Sequence, residues 1–108
     1  MYEIKRGFKT IDGRQIVTYS QNCVGANMLK AEAGTTGYRG GDSGHGGRTY
    51  FSLTDLSSTD IRASRSRKAD GVQVVLGGDS ELDTVIEGLK FIVQVLEDQR
   101  EEYKEVQG

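Results

Sequence analysis

Apolar positions change their period once along the chain. Up to residue 76 they fall in short runs with a period of two, and beyond residue 79 they recur every three or four residues. A period of two marks a strand with one covered face; a period near 3.6 marks an amphipathic helix. From Tyr2 to Phe8, the side chains Tyr2, Ile4 and Phe8 share one parity. Asp12-Gly13 then predicts a tight hairpin, because both residues tolerate the positive φ of a type I′ turn. Gln15 to Tyr19 reads as the return strand and 22–27 as a loop. From Met28 to Ala33, Leu29, Ala31 and Ala33 alternate with Lys30 and Glu32. Arg48 to Leu53, with Tyr50 and Phe51, predicts another strand. Residues 59–65 form a weaker one. Asp70-Gly71 reads as a second hairpin turn before the compact apolar strand Val72 to Leu76. The connections are short and no helical stretch separates the strands, which points to an antiparallel meander of about five strands.

The last part of the chain is different. Leu82, Val85, Leu89, Ile92 and Leu96 follow a +3, +4 spacing, and Ile86 and Val93 widen the stripe. Asp79 or Ser80 is a suitable N-cap, and Ser80 with Asp83 resembles a capping box. A helix over 79–104 follows, about 39 Å long at 1.5 Å per residue. The predicted fold is α+β and a single domain over 1–108. An antiparallel sheet spans 1–76, a Gly-rich loop occupies 37–47, and one long C-terminal helix ends the chain. The helix is apolar over more of its surface than one sheet face can cover. This predicts a homo-oligomer, dimer or tetramer, formed through the C-terminal helix.

Composition supports that picture. The chain has 108 residues, 35% of them apolar, with no Trp. Such a core is thin for a domain standing alone. Cys23 is the only cysteine, which excludes an internal disulfide and a cysteine-based zinc cluster and suggests a reducing compartment. The start of the chain is charged and lacks the apolar run of a signal peptide. No apolar run approaches the ~20 residues of a membrane span. Charge is divided unevenly. Beyond residue 78, nine acidic side chains face three basic ones, a net of −6, leaving +4 on the rest. The basic part can attract a small anion but is too weakly charged for duplex nucleic acid.

The most distinctive stretch runs from Tyr38 to Tyr50, YRGGDSGHGGRTY. It holds GDSG, the tetrapeptide around the nucleophile of trypsin-like proteases, and the only histidine, His45. A protease of that type brings its base and buried carboxylate from distant segments and needs roughly twice this length. The lipase-type elbow G-x-S-x-G fails at His45. One histidine excludes a His-rich zinc site, and Asp42, His45 and Asp79 lack a further nitrogen or sulfur ligand. No cofactor and no metal are therefore expected.

Anion or nucleotide binding suits the stretch better. Gly40, Gly41, Gly44, Gly46 and Gly47 expose backbone N–H groups that can form an anion-holding concavity. Arg39 and Arg48 flank them and can bind phosphate, and Tyr38 and Tyr50 lie outside the arginines and can stack on a base. Asp42 can accept from a base amine or a ribose hydroxyl. The candidate ligand-binding residues are thus Tyr38, Arg39, Gly40, Gly41, Asp42, His45, Gly47, Arg48 and Tyr50, with no catalytic residue among them. The competing structural reading keeps the glycines for turns and His45 for a backbone hydrogen bond. A second basic patch, Arg62, Arg65, Arg67 and Lys68, reads as a solvated strand end or as a rim that draws in an anion. The tetrapeptide Gly-Gly-Asp-Ser occurs twice, at 40–43 and 77–80. The second copy leads into the helix; the first precedes no helical pattern and must serve differently.

These residues resemble a group of short phage and prophage proteins. The matching positions are Gly40, Gly41, Asp42, Gly44, His45, Gly46, Gly47, Arg48, Thr49 and Tyr50. They continue with Gly77, Gly78, Asp79, Glu81 and Leu82, then Leu89-Lys90-Phe91, and the likeness covers roughly 33–97. The group looks like the viral sponge proteins of the anti-CBASS and anti-Thoeris types, which sequester cyclic nucleotide signals of bacterial immunity. The resemblance implies an oligomer in the cytoplasm of a bacterial host that binds a cyclic oligonucleotide or related signal without cleaving it. Two alternatives stand beside it: a small phosphodiesterase or hydrolase using His45 and Asp42, and a phage protein-interaction module.

Overall fold

The computed structural model describes residues 3–64 and 67–107. Tyr2 and Arg65, which belong to predicted strands, lie outside the described residues, as does the side chain of Glu105. The elements are β1 (Ile4–Ile11), β2 (Arg14–Val24), β3 (Met28–Thr35), β4 (Arg48–Ser57), β5 (Ile61–Ala63), β6 (Arg67–Ala69), β7 (Gly71–Gly77) and α1 (Asp79–Gln107). The main sheet has five antiparallel strands in the order β1-β2-β3-β4-β7, and β5 and β6 pair separately. The protein is therefore α+β, with an antiparallel sheet followed by one long C-terminal helix. No helix among the described residues is long and apolar enough to cross a membrane.

Asp12 and Gly13 both have positive φ, 50° and 75°, and join β1 to β2 in the tight turn their residue types predict. Asp70-Gly71 behaves otherwise. β7 pairs with β4, and β6 pairs with β5, so Asp70 is the junction where the chain returns from the small sheet to the large one. The strands also run longer than their apolar patterns. β2 continues through 22–24, because Asn22, Cys23 and Val24 find ladder partners in Lys30, Leu29 and Met28.

Cross-strand partners share a face, so the register sorts the side chains. One face carries Ile16, Thr18, Glu32, Arg48, Tyr50 and Ser52; the other carries Ile4, Phe8, Val17, Tyr19, Phe51 and Leu53. The first, largely polar face is the better buried. Ile16, Thr18 and Ser52 are inaccessible or nearly so, and Tyr50 is 2% exposed. Thr18 Oγ1 donates to Glu32 Oε2 at 2.5 Å, which satisfies a buried hydroxyl.

Coiling of the sheet explains this burial. β1 and β4 are three strands apart, about 14 Å in a flat sheet. Yet the Lys9 ammonium sits 5.6 Å from the centre of the Tyr50 ring. The sheet is curled inward around Tyr50 and Ile16. Gly34 lies on this inner face, where an added Cβ would collide with the Val17 carbonyl oxygen. α1 packs on the opposite, outer face, with Leu82, Val85, Ile86 and Leu89 over Ala33, Thr35, Thr49 and Phe51.

Gly34→Ala is expected to force these strands apart. The cost should be about 1–3 kcal/mol, as for other overpacked positions. Urea unfolding should show a lower midpoint with an unchanged slope.

Candidate functional site

The Gly-rich segment between β3 and β4 is folded around a carboxylate of the protein itself. Asp79, the first residue of α1, accepts four backbone N–H bonds from it. Oδ1 takes Arg39 N at 2.8 Å and Gly47 N at 2.9 Å; Oδ2 takes Gly40 N at 2.6 Å and Gly41 N at 3.3 Å. The N–H concavity predicted for an external anion is thus filled from within. Gly46 (φ 86°) closes the arrangement, since a Cβ there would lie 2.6 Å from Asp79 Oδ1 and closer still to the Gly41 oxygen. The four donors, led by the Arg39 and Gly47 N–H groups, lower the Asp79 pKa from 3.8 to about 2.

The contact is reciprocal. Asp42 Oδ1 accepts the Ser80 N–H at 2.7 Å, so it is the loop's carboxylate, and neither Asp79 nor Ser80, that caps the helix. Glu81 Oε2 accepts Ser43 N at 3.0 Å, and Gly41 O accepts Asp79 N at 2.7 Å. Each Gly-Gly-Asp-Ser copy therefore supplies an aspartate to the backbone of the other. Asp83, which a capping box would turn toward its own helix start, instead accepts from the Tyr38 hydroxyl. That hydrogen bond, with the Asp83 charge, holds the Tyr38 pKa above its ordinary value.

Arg48 fastens the other side of the loop. It is nearly buried, and its Nε donates to Asp12 Oδ2 at 2.8 Å. Its Nη1 donates to the carbonyls of Gly46 (3.0 Å) and Gly47 (3.1 Å), and its Nη2 to Gly44 (3.0 Å). The guanidinium thus joins the β1–β2 turn to the loop. Arg14 Nη1 reinforces the link by donating to the Gly46 carbonyl.

The predicted site residues fall into two groups. Gly40, Gly41, Gly47, Asp42 and Arg48 are committed to the loop's internal hydrogen bonds, and Tyr50 lies under Lys9 inside the curled sheet. The inward turn of Arg48 and Tyr50 removes them from the phosphate-binding and base-stacking roles their positions suggest. Tyr38, Arg39 and His45 face solvent, Tyr38 at 62% exposure. Among the described residues the His45 imidazole has no hydrogen-bond partner, contrary to the structural reading of it. The Arg39 guanidinium has none either, and it lines a groove of about 350 Å³ with Arg14, Gln15 and Thr36. Sequence reasoning misses Arg14, Gln15 and Thr36, which the antiparallel pairing of β2 with β3 brings beside Arg39. The duplicated tetrapeptide is the one signal in the sequence for the Asp79–Asp42 exchange.

Two outcomes follow. Asp79 has a lowered folded pKa, so its contribution to stability is complete above about pH 4 and is lost as pH falls toward 2. Asp79→Asn should be less stable than the parent at neutral pH, and the gap should narrow over that acidic window in thermal melts. Asp42→Ala removes a cap and should cost about 0.5–2 kcal/mol, with helix content retained by circular dichroism.

No protein-family model, curated protein or solved structure matches the chain.

Proposed function

We propose that the protein binds and sequesters an anionic cyclic nucleotide signal, without cleaving it, in the cytoplasm of a bacterial host, and that it does so as a homo-oligomer. The observation that carries this reading is the exposed Arg39 guanidinium, which has no hydrogen-bond partner among the described residues and lines an open groove, next in sequence to the exposed Tyr38. Guanidinium groups suit phosphate oxygens, and an adjacent phenol ring suits a base. Gln15 and Thr36 add neutral polar groups at the same groove. The motif likeness to sponge proteins points the same way.

Binding without chemistry is supported by the state of the would-be catalytic groups. Asp42 is spent on the helix N-terminus, and His45 is exposed with no positioned partner among the described residues. A base that is neither oriented nor desolvated has little catalytic use. Arg48 and Asp79 hold the loop backbone, so Arg39 is presented from a rigid support. This limits the ordering cost of binding.

Thermal-shift assays with cyclic di- and trinucleotides and cyclic ADP-ribose isomers check the proposal. At least one should raise Tm and be recovered intact after heating. Arg39→Ala should weaken that binding by about tenfold or more, the scale of one lost charge-assisted hydrogen bond, while His45→Ala should keep it. The absence of any shift across the panel, or recovery of a hydrolysed product, counts against it.

A further inference from the structure

The described chain leaves two apolar surfaces uncovered. The outer sheet face exposes Ile4, Phe8, Tyr19 and Leu53 on β1, β2 and β4. The helix packs toward the β4–β7 side of that face, away from β1. Its packed residues are Leu82, Val85, Ile86 and Leu89. Farther along α1 the same stripe continues through Ile92, Val93 and Leu96, which are half to two-thirds exposed, and Phe91 beside them is 69% exposed.

The size of the molecule gives a measure of what is uncovered. Its accessible surface is 7971 Å², against about 5,900 Å² for a folded monomer of this mass. Its radius of gyration is 15.9 Å, against about 13 Å for a compact chain of this length. An excess of about 2,000 Å² per chain is what an obligate dimer interface takes up. Charge adds a direction. On the outer face β1, at the uncovered edge, presents Arg6 between Ile4 and Phe8 and no acidic residue. Beyond Leu96 the helix carries Glu97, Asp98, Glu101 and Glu102 against Arg100 and Lys104, a net acidic segment.

We infer that a second copy of this chain covers both surfaces at once. The C-terminal half of each α1 lies across the outer sheet face of the other protomer, with its acidic end toward the partner's β1. The inference rests on the self-association proposed above and specifies its geometry: helix on sheet, exchanged reciprocally, in place of a helix–helix seam. The Arg14–Arg39 groove takes no part in it.

The test uses the full chain. Light scattering after size exclusion should give at least twice the chain mass. Leu96→Asp and Tyr19→Asp should each shift the protein to monomer with helix content kept, since both side chains are more than half exposed in the protomer. A benzophenone amino acid at position 96, in a mixture of ¹⁵N-labelled and unlabelled chains, should give interchain crosslinks to β1 and β2. A monomeric parent at 50 µM (roughly the range where an obligate interface is saturated) overturns the inference and the self-association together. An oligomer whose interchain crosslinks map to α1, or to neither β1 nor β2, overturns the helix-on-sheet geometry alone.

Discussion

One carboxylate organises the glycine-rich end of this protein. A loop rich in glycine loses much conformational freedom when it orders, and its N–H groups need acceptors wherever water is excluded. Asp79 answers both demands with two oxygens and four donors. Asp42 returns the contact by capping α1. Strand end, loop and helix start are therefore a single unit. Arg48 extends that unit to the β1–β2 turn through Asp12. The exposed pair Tyr38–Arg39 inherits its position from these bonds.

The sheet is unusual in what it hides. Its inner, curled face encloses hydroxyls, Glu32 and Arg48 around Tyr50 and Ile16, while much of the apolar outer face stays accessible. Buried polar groups add little net stability once they are satisfied. Apolar burial is what usually outweighs chain entropy, and in the single chain little of it is complete. The inner face sets shape, and the outer face holds most of the unused driving force.

Signals in the sequence are legible where local physics decides the outcome. Asp12-Gly13 makes its turn because both residues reach positive φ, and the period of Leu82, Val85, Leu89 and Ile92 yields a helix. Asp70-Gly71 carries the same turn signal, yet the brief β5–β6 pairing sends the chain elsewhere. For the site, Tyr38 and Arg39 are readable as exposed aromatic and polar groups. Arg48 and Tyr50 are not readable as buried, because their burial depends on a sheet that curls across three strands. Asp79 reads as a cap for its own helix; its real partners lie 32 to 40 residues away, beyond any periodic pattern.

The Asp79 contact also sets an order of events. Synthesis makes residues 39–47 well before residue 79, so the loop must wait, hydrated, for its internal anion. Long-range closures of this kind form late and slowly. The loop that presents Arg39 is therefore assembled late, and only after the chain has emerged far enough to start its helix.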